Sequence, residues 1–190
     1  MPDPNYRVFN VEQVDYEGIL REEKPFADNL TAWFKCVGTK HVLDIGCGPG
    51  VYVQSLNSAG IKCTGYDADP RVVNYPNCKL LSMFDITEKS GCVICIEVAE
   101  HIHESNNDDI VDALVRMVKP GGKLVFSAAQ PGQGGEGHIN CKAPLYWIDK
   151  FLSKGMGIDH HETAAMKLFL VRNGGTFGWF MNNANVFKKP

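Results

Sequence analysis

At 190 residues and 44% hydrophobic content, the chain is long enough for one compact domain with a full core and too short for a second domain of ordinary size. Its 19 basic and 22 acidic residues leave a net charge of -3, which excludes an overall positive field for nucleic acid or anionic lipid. No apolar run approaches the roughly 18 residues of a membrane span, and residues 1–10 lack a secretory pattern, so a cytoplasmic protein without a membrane partner is expected.

In chain order, a helix is predicted over residues 25–37, with Pro25 in its first turn and Leu30, Trp33, Phe34 and Val37 at helical spacing. Residues 41–45 form a short apolar run closed by glycines. A helix over 51–59 and a strand over 62–66 follow, which makes a βαβ unit. Further strands are expected over 79–82, 92–96 and 123–127, the last preceded by a helix over 108–118 that Pro120-Gly121-Gly122 stops. Beyond them come helices over 143–153 and 162–172, a break at Asn173-Gly174-Gly175, and apolar stretches at 177–181 and 186–187 that read as an antiparallel strand pair. Alternating strands and helices imply an α/β fold, a doubly wound, mostly parallel sheet with an antiparallel C-terminal strand. In such a sheet ligands bind beyond the carboxyl ends of the strands. The expected organisation is one domain over 1–190: a helical lead (1–40), a cofactor-binding core (41–127), and an acceptor loop with the C-terminal part (128–190). The short lead leaves open that the chain is a fragment of a multidomain enzyme. The seven cysteines mostly sit in apolar stretches and read as reduced thiols; alternation along the fourth strand sends Cys92 and Cys95 to opposite faces, against a redox or zinc pair.

The strongest motif is Asp44-Ile-Gly46-Cys-Gly48-Pro-Gly50, between a predicted strand and a predicted helix. The glycines let the backbone turn tightly and approach a ligand. A dinucleotide fingerprint needs glycine where Val51 stands, and Pro49 removes an N–H that a pyrophosphate would use, which disfavours a nicotinamide dehydrogenase. Asp67, followed by Ala68, ends the second strand, where a carboxylate accepts both hydrogens of a ribose diol. On these residues the sequence resembles the class I S-adenosylmethionine-dependent methyltransferases over residues 42–127, a Rossmann-like fold. The resemblance implies that Gly46, Gly48 and Gly50 border the methionine part of S-adenosylmethionine and that Asp44 orients its ammonium. It implies too that Asp67 holds the ribose and that Phe84, Asp85 and Ile86 surround the adenine. Glu97-Val-Ala-Glu-His-Ile102 and Lys119-Pro-Gly-Gly-Lys123 match the family's two later motifs.

Glu97, Glu100 and His101 stand at i, i+3 and i+4, so a helix opening after the fourth strand would gather them on one face, and the glycine-rich loop at 130–140 brings His138. Two carboxylates and imidazoles suit Mg, Mn or Zn. The set resembles that of the plant small-RNA 3'-terminal ribose methyltransferases, in which a metal grips vicinal hydroxyls. Without a metal, His138 or His101 is placed as general base. The same acids also suit a metal-free helix N-terminus. Tyr146 and Trp147 offer flat surfaces for a sugar, or core packing. The expected acceptor is a hydroxyl of a sugar, glycan or other small polyol. An RNA terminal ribose, weighed against by the acidic charge balance, and a small phenol or quinone are the alternatives; a catalytically silent S-adenosylmethionine-binding module is the reading from another class.

Overall fold

The computed structural model describes residues 14–174 and 177–190. Seven strands form one sheet: β1 (His41–Ile45), β2 (Lys62–Asp67), β3 (Cys78–Leu80), β4 (Ser90–Ile96), β5 (Val118–Ser127), β6 (Gly157–Ile158) and β7 (Asn185–Lys188). Their order is β3-β2-β1-β4-β5-β7-β6; β1 to β5 run parallel, and β7 is antiparallel to both β5 and β6. The chain winds outward from β1 in one direction and from β4 in the other, so a crevice opens between the carboxyl ends of these two strands.

Both faces of the sheet are buried, and the period of two divides each strand between two cores. Val42, Cys63, Cys92, Ile94, Val125 and Val186 pack beneath α1 (Tyr16–Cys36), α2 (Val51–Ser58), α5 (His160–Arg172) and α6 (Gly178–Asn183). Leu43, Val93, Cys95, Leu124, Phe126 and Phe187 pack beneath α3 (Asn107–Met117) and α4 (Pro144–Ser153). Cys92 and Cys95 thus lie in opposite cores, and all seven cysteines are free. No helix among the described residues is long and apolar enough to cross a membrane.

Three expectations are corrected. The first helix begins at Tyr16, with Asp15 capping it by accepting from the Gly18 N–H at 2.9 Å. Pro25 therefore lies inside the helix. It is tolerated because it and Arg21, whose carbonyl loses its partner, both face solvent. Residues 177–181 are not a strand: α6 forms there because Phe177 and Phe180, three apart, both reach Phe26, with ring centroids 5.3 and 4.9 Å away. The second antiparallel partner of β7 is instead β6. Finally, α3 ends at Met117 because Val118 is already extended, and Pro120-Gly121-Gly122 forms an irregularity inside β5, where pairing jumps from Ser90–Val118 to Cys92–Lys123.

Candidate active site

A cavity of about 780 Å³ opens at the crevice between β1 and β4. Its first wall is the turn after β1. Gly46 has φ +75, and a Cβ there would lie 2.4 Å from Val98 Cγ2, so only glycine lets this turn lie against the segment after β4. Gly50, at φ +74, opens α2. Gly46, Gly48, Asp67 and Ala68 all line the cavity. The Asp67 carboxylate accepts from the Gly48 N–H and the Asp69 N–H, each at 2.8 Å; burial nevertheless dominates and raises its pKa. Asp44 is 2% exposed and its Oδ2 has no hydrogen-bond partner. Burial first, then the neighbouring Cys78, Asp67 and Glu23, push its carboxyl well above the usual range. The segment after β3 contributes Leu81 and Met83 to the wall, whereas Phe84, Asp85 and Ile86 do not line the cavity: Asp85 is exposed and Ile86 is buried in the core on the α3 side. The one-turn helix Met83–Asp85 accounts for this, since it turns Met83 inward and carries its end outward.

The opposite wall follows β4. Instead of a full helix there is a one-turn 3-10 segment, Ala99–His101, preceded by Glu97 at φ +52. The tight turn brings together three of the four expected groups, for ligand atoms of Glu100, His101 and His138 lie within 4.8 Å of one another, and Glu97 is not part of that cluster. The glycine-rich loop delivers His138 because the N–H groups of Ile139 and Asn140 both donate to the Glu100 carbonyl, at 2.9 and 3.0 Å. Asn140, fully buried, also donates to Ala99 O and to Asn107 Oδ1. His101 Nδ1 donates to the Gly137 carbonyl at 3.2 Å and His138 Nδ1 donates to the Gln133 carbonyl at 3.4 Å, which fixes both tautomers with the lone pair on Nε2. His138 Nε2 stands 3.9 Å from Glu100 Oε1. The Glu100 carboxyl is wholly buried beside Glu97, and burial followed by the Glu97 charge pushes its pKa up to about 9 against the lowering effect of the Glu100 and Ala129 N–H groups. Burial, followed by the neighbouring His138 imidazole, pushes His101 down to about 4.

Trp147 and Tyr146 do not line the cavity. Trp147 is 2% exposed against Phe126, and the Tyr146 hydroxyl accepts from Asn107 Nδ2 at 2.8 Å. The aromatic wall comes instead from Phe177 and Trp179, stacked at 5.1 Å and 13°, and from Tyr16. The Tyr16 hydroxyl donates to Asp69 Oδ2 at 2.6 Å, and Arg71 covers the Tyr16 ring at 4.0 Å while also bonding Asp69, so the start of α1 is fastened over the cavity. Glu22 and Glu23 of α1 complete this side, Glu23 accepting from the Tyr52 hydroxyl at 3.2 Å. The wall contains no Lys or Arg among the described residues. The aromatic run at 177–180 is the signal that points to this wall; its assignment to a strand concealed it.

These features describe an α/β fold in which a glycine-rich loop after β1 faces an acidic, histidine-bearing segment after β4. The chain matches a family model described as a methyltransferase domain over residues 19–174. It belongs to the class I S-adenosylmethionine-dependent methyltransferases. It is 30% identical over 125 residues to the ubiquinone biosynthesis O-methyltransferase of Hydrogenovibrio crunogenus, covering 58% of this chain and 51% of that protein. It is 32% identical over 119 residues to the mitochondrial ubiquinone biosynthesis O-methyltransferase of Schizosaccharomyces pombe, covering 53% and 43%. The match thus spans about half the length of these relatives. Among solved structures, magnesium protoporphyrin IX methyltransferase from Synechocystis PCC 6803 with bound S-adenosylmethionine superposes with a TM-score of 0.60 at 19% identity, covering 92% of this chain and 83% of that one. A methyltransferase from Archaeoglobus fulgidus does so with a TM-score of 0.60 at 15% identity, covering 91% and 98%. These two share the fold.

Proposed function

We propose that this chain transfers the methyl group of S-adenosylmethionine to a phenolic hydroxyl of a small, uncharged quinone-type ring, assisted by a divalent ion. The observation that carries the metal-assisted site is the wholly buried Glu100 carboxyl, with ligand atoms of His101 and His138 within 4.8 Å of it and of each other. A buried carboxylate needs a positive partner, either a proton or a cation. Similarity to the ubiquinone biosynthesis O-methyltransferases supports a phenolic acceptor over the sugar or glycan expected from sequence. The stacked Phe177 and Trp179 suit a flat ring, and a wall without Lys or Arg among the described residues disfavours a phosphate-bearing RNA end.

The cofactor residues fit their assigned group. Asp44, which does not itself line the cavity, keeps an unpartnered buried oxygen that an ammonium would satisfy, Gly46 and Gly48 border the cavity, and Asp67 would take the ribose. Leu81 and Met83 would supply the apolar side for the adenine. S-adenosylmethionine supplies an electrophilic sulfonium methyl. Glu100, His101 and His138, with Glu97 beside them, would hold a divalent ion, which would acidify a bound hydroxyl. Where no ion is bound, His138 Nε2, carrying its lone pair, would instead take the hydroxyl proton. Alignment of acceptor and methyl by the two facing walls supplies most of the rate.

The test is an acceptor series. Catechols and hydroquinones are expected to be methylated at rates that fall at least about tenfold on chelation, with sugar diols inert. Equal turnover of a sugar diol, or full activity with catechol in chelator, would reject the corresponding half of the proposal.

A further inference from the structure

Glu97 holds a backbone conformation that a glutamate rarely adopts, φ +52, with its N–H donating to the Ser127 carbonyl at 3.1 Å and reaching the Ser127 Oγ at 3.3 Å. These backbone bonds leave the direction of its carboxylate unset. That direction comes from a residue in the glycine-rich loop.

We propose that Gln133 is the positioning residue of the acceptor site, holding Glu97 and His138 in one arrangement and tying both to α6; the inference rests on the acceptor chemistry proposed above. The Gln133 side chain is bonded at both ends. Its Nε2 donates to Glu97 Oε2 at 2.6 Å and its Oε1 accepts from Asn183 Nδ2 at 2.7 Å. A carboxylate only accepts, so the amide has one orientation here. Asn183 is 3% exposed and stands at the end of α6, which makes it a fixed post. The backbone of Gln133 serves the second group, since its carbonyl accepts from His138 Nδ1 and thereby sets the tautomer with the lone pair on Nε2. Gly135 closes the arrangement: a Cβ there would fall 2.2 Å from the His138 ring, so the loop backbone lies flat against the imidazole.

The loop can swing only if this latch opens. Gly132 and Gly137, at φ +89 and +72, flank Gln133 and provide two pivots. Loss of the Gln133 side chain removes the donor to Glu97 and releases the loop from α6 in one step. The site then keeps its cofactor wall, which lies across the cavity on β1 and β2, and loses the alignment of acid and base.

Three variants separate positioning from packing: Gln133→Leu, Gln133→Glu, which keeps size and shape but offers no donor to Glu97, and Asn183→Ala. The first readout needs no acceptor. Hydrogen exchange in the presence of S-adenosylmethionine is expected to speed up at least about tenfold across residues 130–140 in all three variants, the scale of one lost charge-assisted hydrogen bond. Cofactor affinity, measured by calorimetry, should stay within about threefold, because the latch touches none of its walls. With a phenolic acceptor, kcat should fall at least about tenfold while KM moves less than about threefold, with Gln133→Glu as damaging as Gln133→Leu. Unchanged exchange in the loop, or wild-type kcat in Gln133→Glu, overturns the proposal. If the wild type turns over no phenol, the acceptor reading fails, and the exchange result still decides the latch.

Discussion

Replacing Asp44 by Asn should weaken cofactor binding and strengthen the empty fold together. The carboxyl is 2% exposed, its Oδ2 has no partner, and burial holds its pKa well above the ordinary carboxylate value. A folded-state pKa raised above the unfolded one means that the native protein retains the proton longer. The native state therefore loses stability as pH rises from about 4 through the raised value. Asn carries no charge, so the cofactor-free variant should melt higher than the wild type at neutral pH, and the difference should vanish below about pH 4. In the complex the sign reverses. The carboxylate would meet an ammonium, and a charge-assisted bond of about 1.5–3 kcal/mol makes the loss in affinity roughly 10- to 150-fold. Wild-type affinity should fall with falling pH, and binding should release protons at pH values where the free protein keeps Asp44 protonated. Calorimetry in two buffers of different ionisation enthalpy measures both. A variant that binds as tightly as the wild type, or binding without proton release, would refute the reasoning.

Gly46→Ala forces a left-handed alanine and places its Cβ 2.4 Å from Val98, so denaturant unfolding should show a loss of about 2–4 kcal/mol along with weakened cofactor binding. Trp147→Ala should cost about 3–5 kcal/mol in the same assay yet leave acceptor KM unchanged, whereas Trp179→Ala should raise acceptor KM at least about fivefold with little loss of stability. His138→Ala should lower kcat by about 100-fold or more and leave cofactor affinity intact, as separate kinetic and calorimetric titrations would show. Tyr16→Phe removes a bond from Asp69 that Arg71 continues to satisfy, so a loss of only about 1 kcal/mol is expected, seen as faster proteolysis near the start of α1.

The parallel sheet was legible because its strands are buried on both faces and are punctuated by glycine, proline and polar turns. The cofactor loop was legible because Gly46, Gly48 and Gly50 sit between a strand and a helix, and only a close backbone approach calls for that spacing. What escaped the sequence depends on contacts between distant segments. The aromatic run at 177–180 has no strong period of its own, and Phe26, far away along the chain, makes it a helix. Trp147 and Trp179 are equally aromatic in sequence. Only the docking of α4 on Phe126 puts one in the core, while α6 carries the other to the cavity. The segment after β4 has a different local shape from the helix its spacing suggested. One 3-10 turn and a left-handed Glu97 replace the full helix, because the Glu100 carbonyl receives the acceptor loop instead of continuing a helix. Gln133 carried no motif at all, since its role exists only where the loop meets α6.

The most direct measurement is a single turnover with methyl-labelled S-adenosylmethionine, a catechol acceptor and a divalent cation. The account predicts that label leaves the cofactor and is recovered in a phenyl methyl ether, with none transferred in His138→Ala on the same timescale. Tight cofactor binding with no label in the phenol, or label recovered on a sugar hydroxyl under the same conditions, would contradict it.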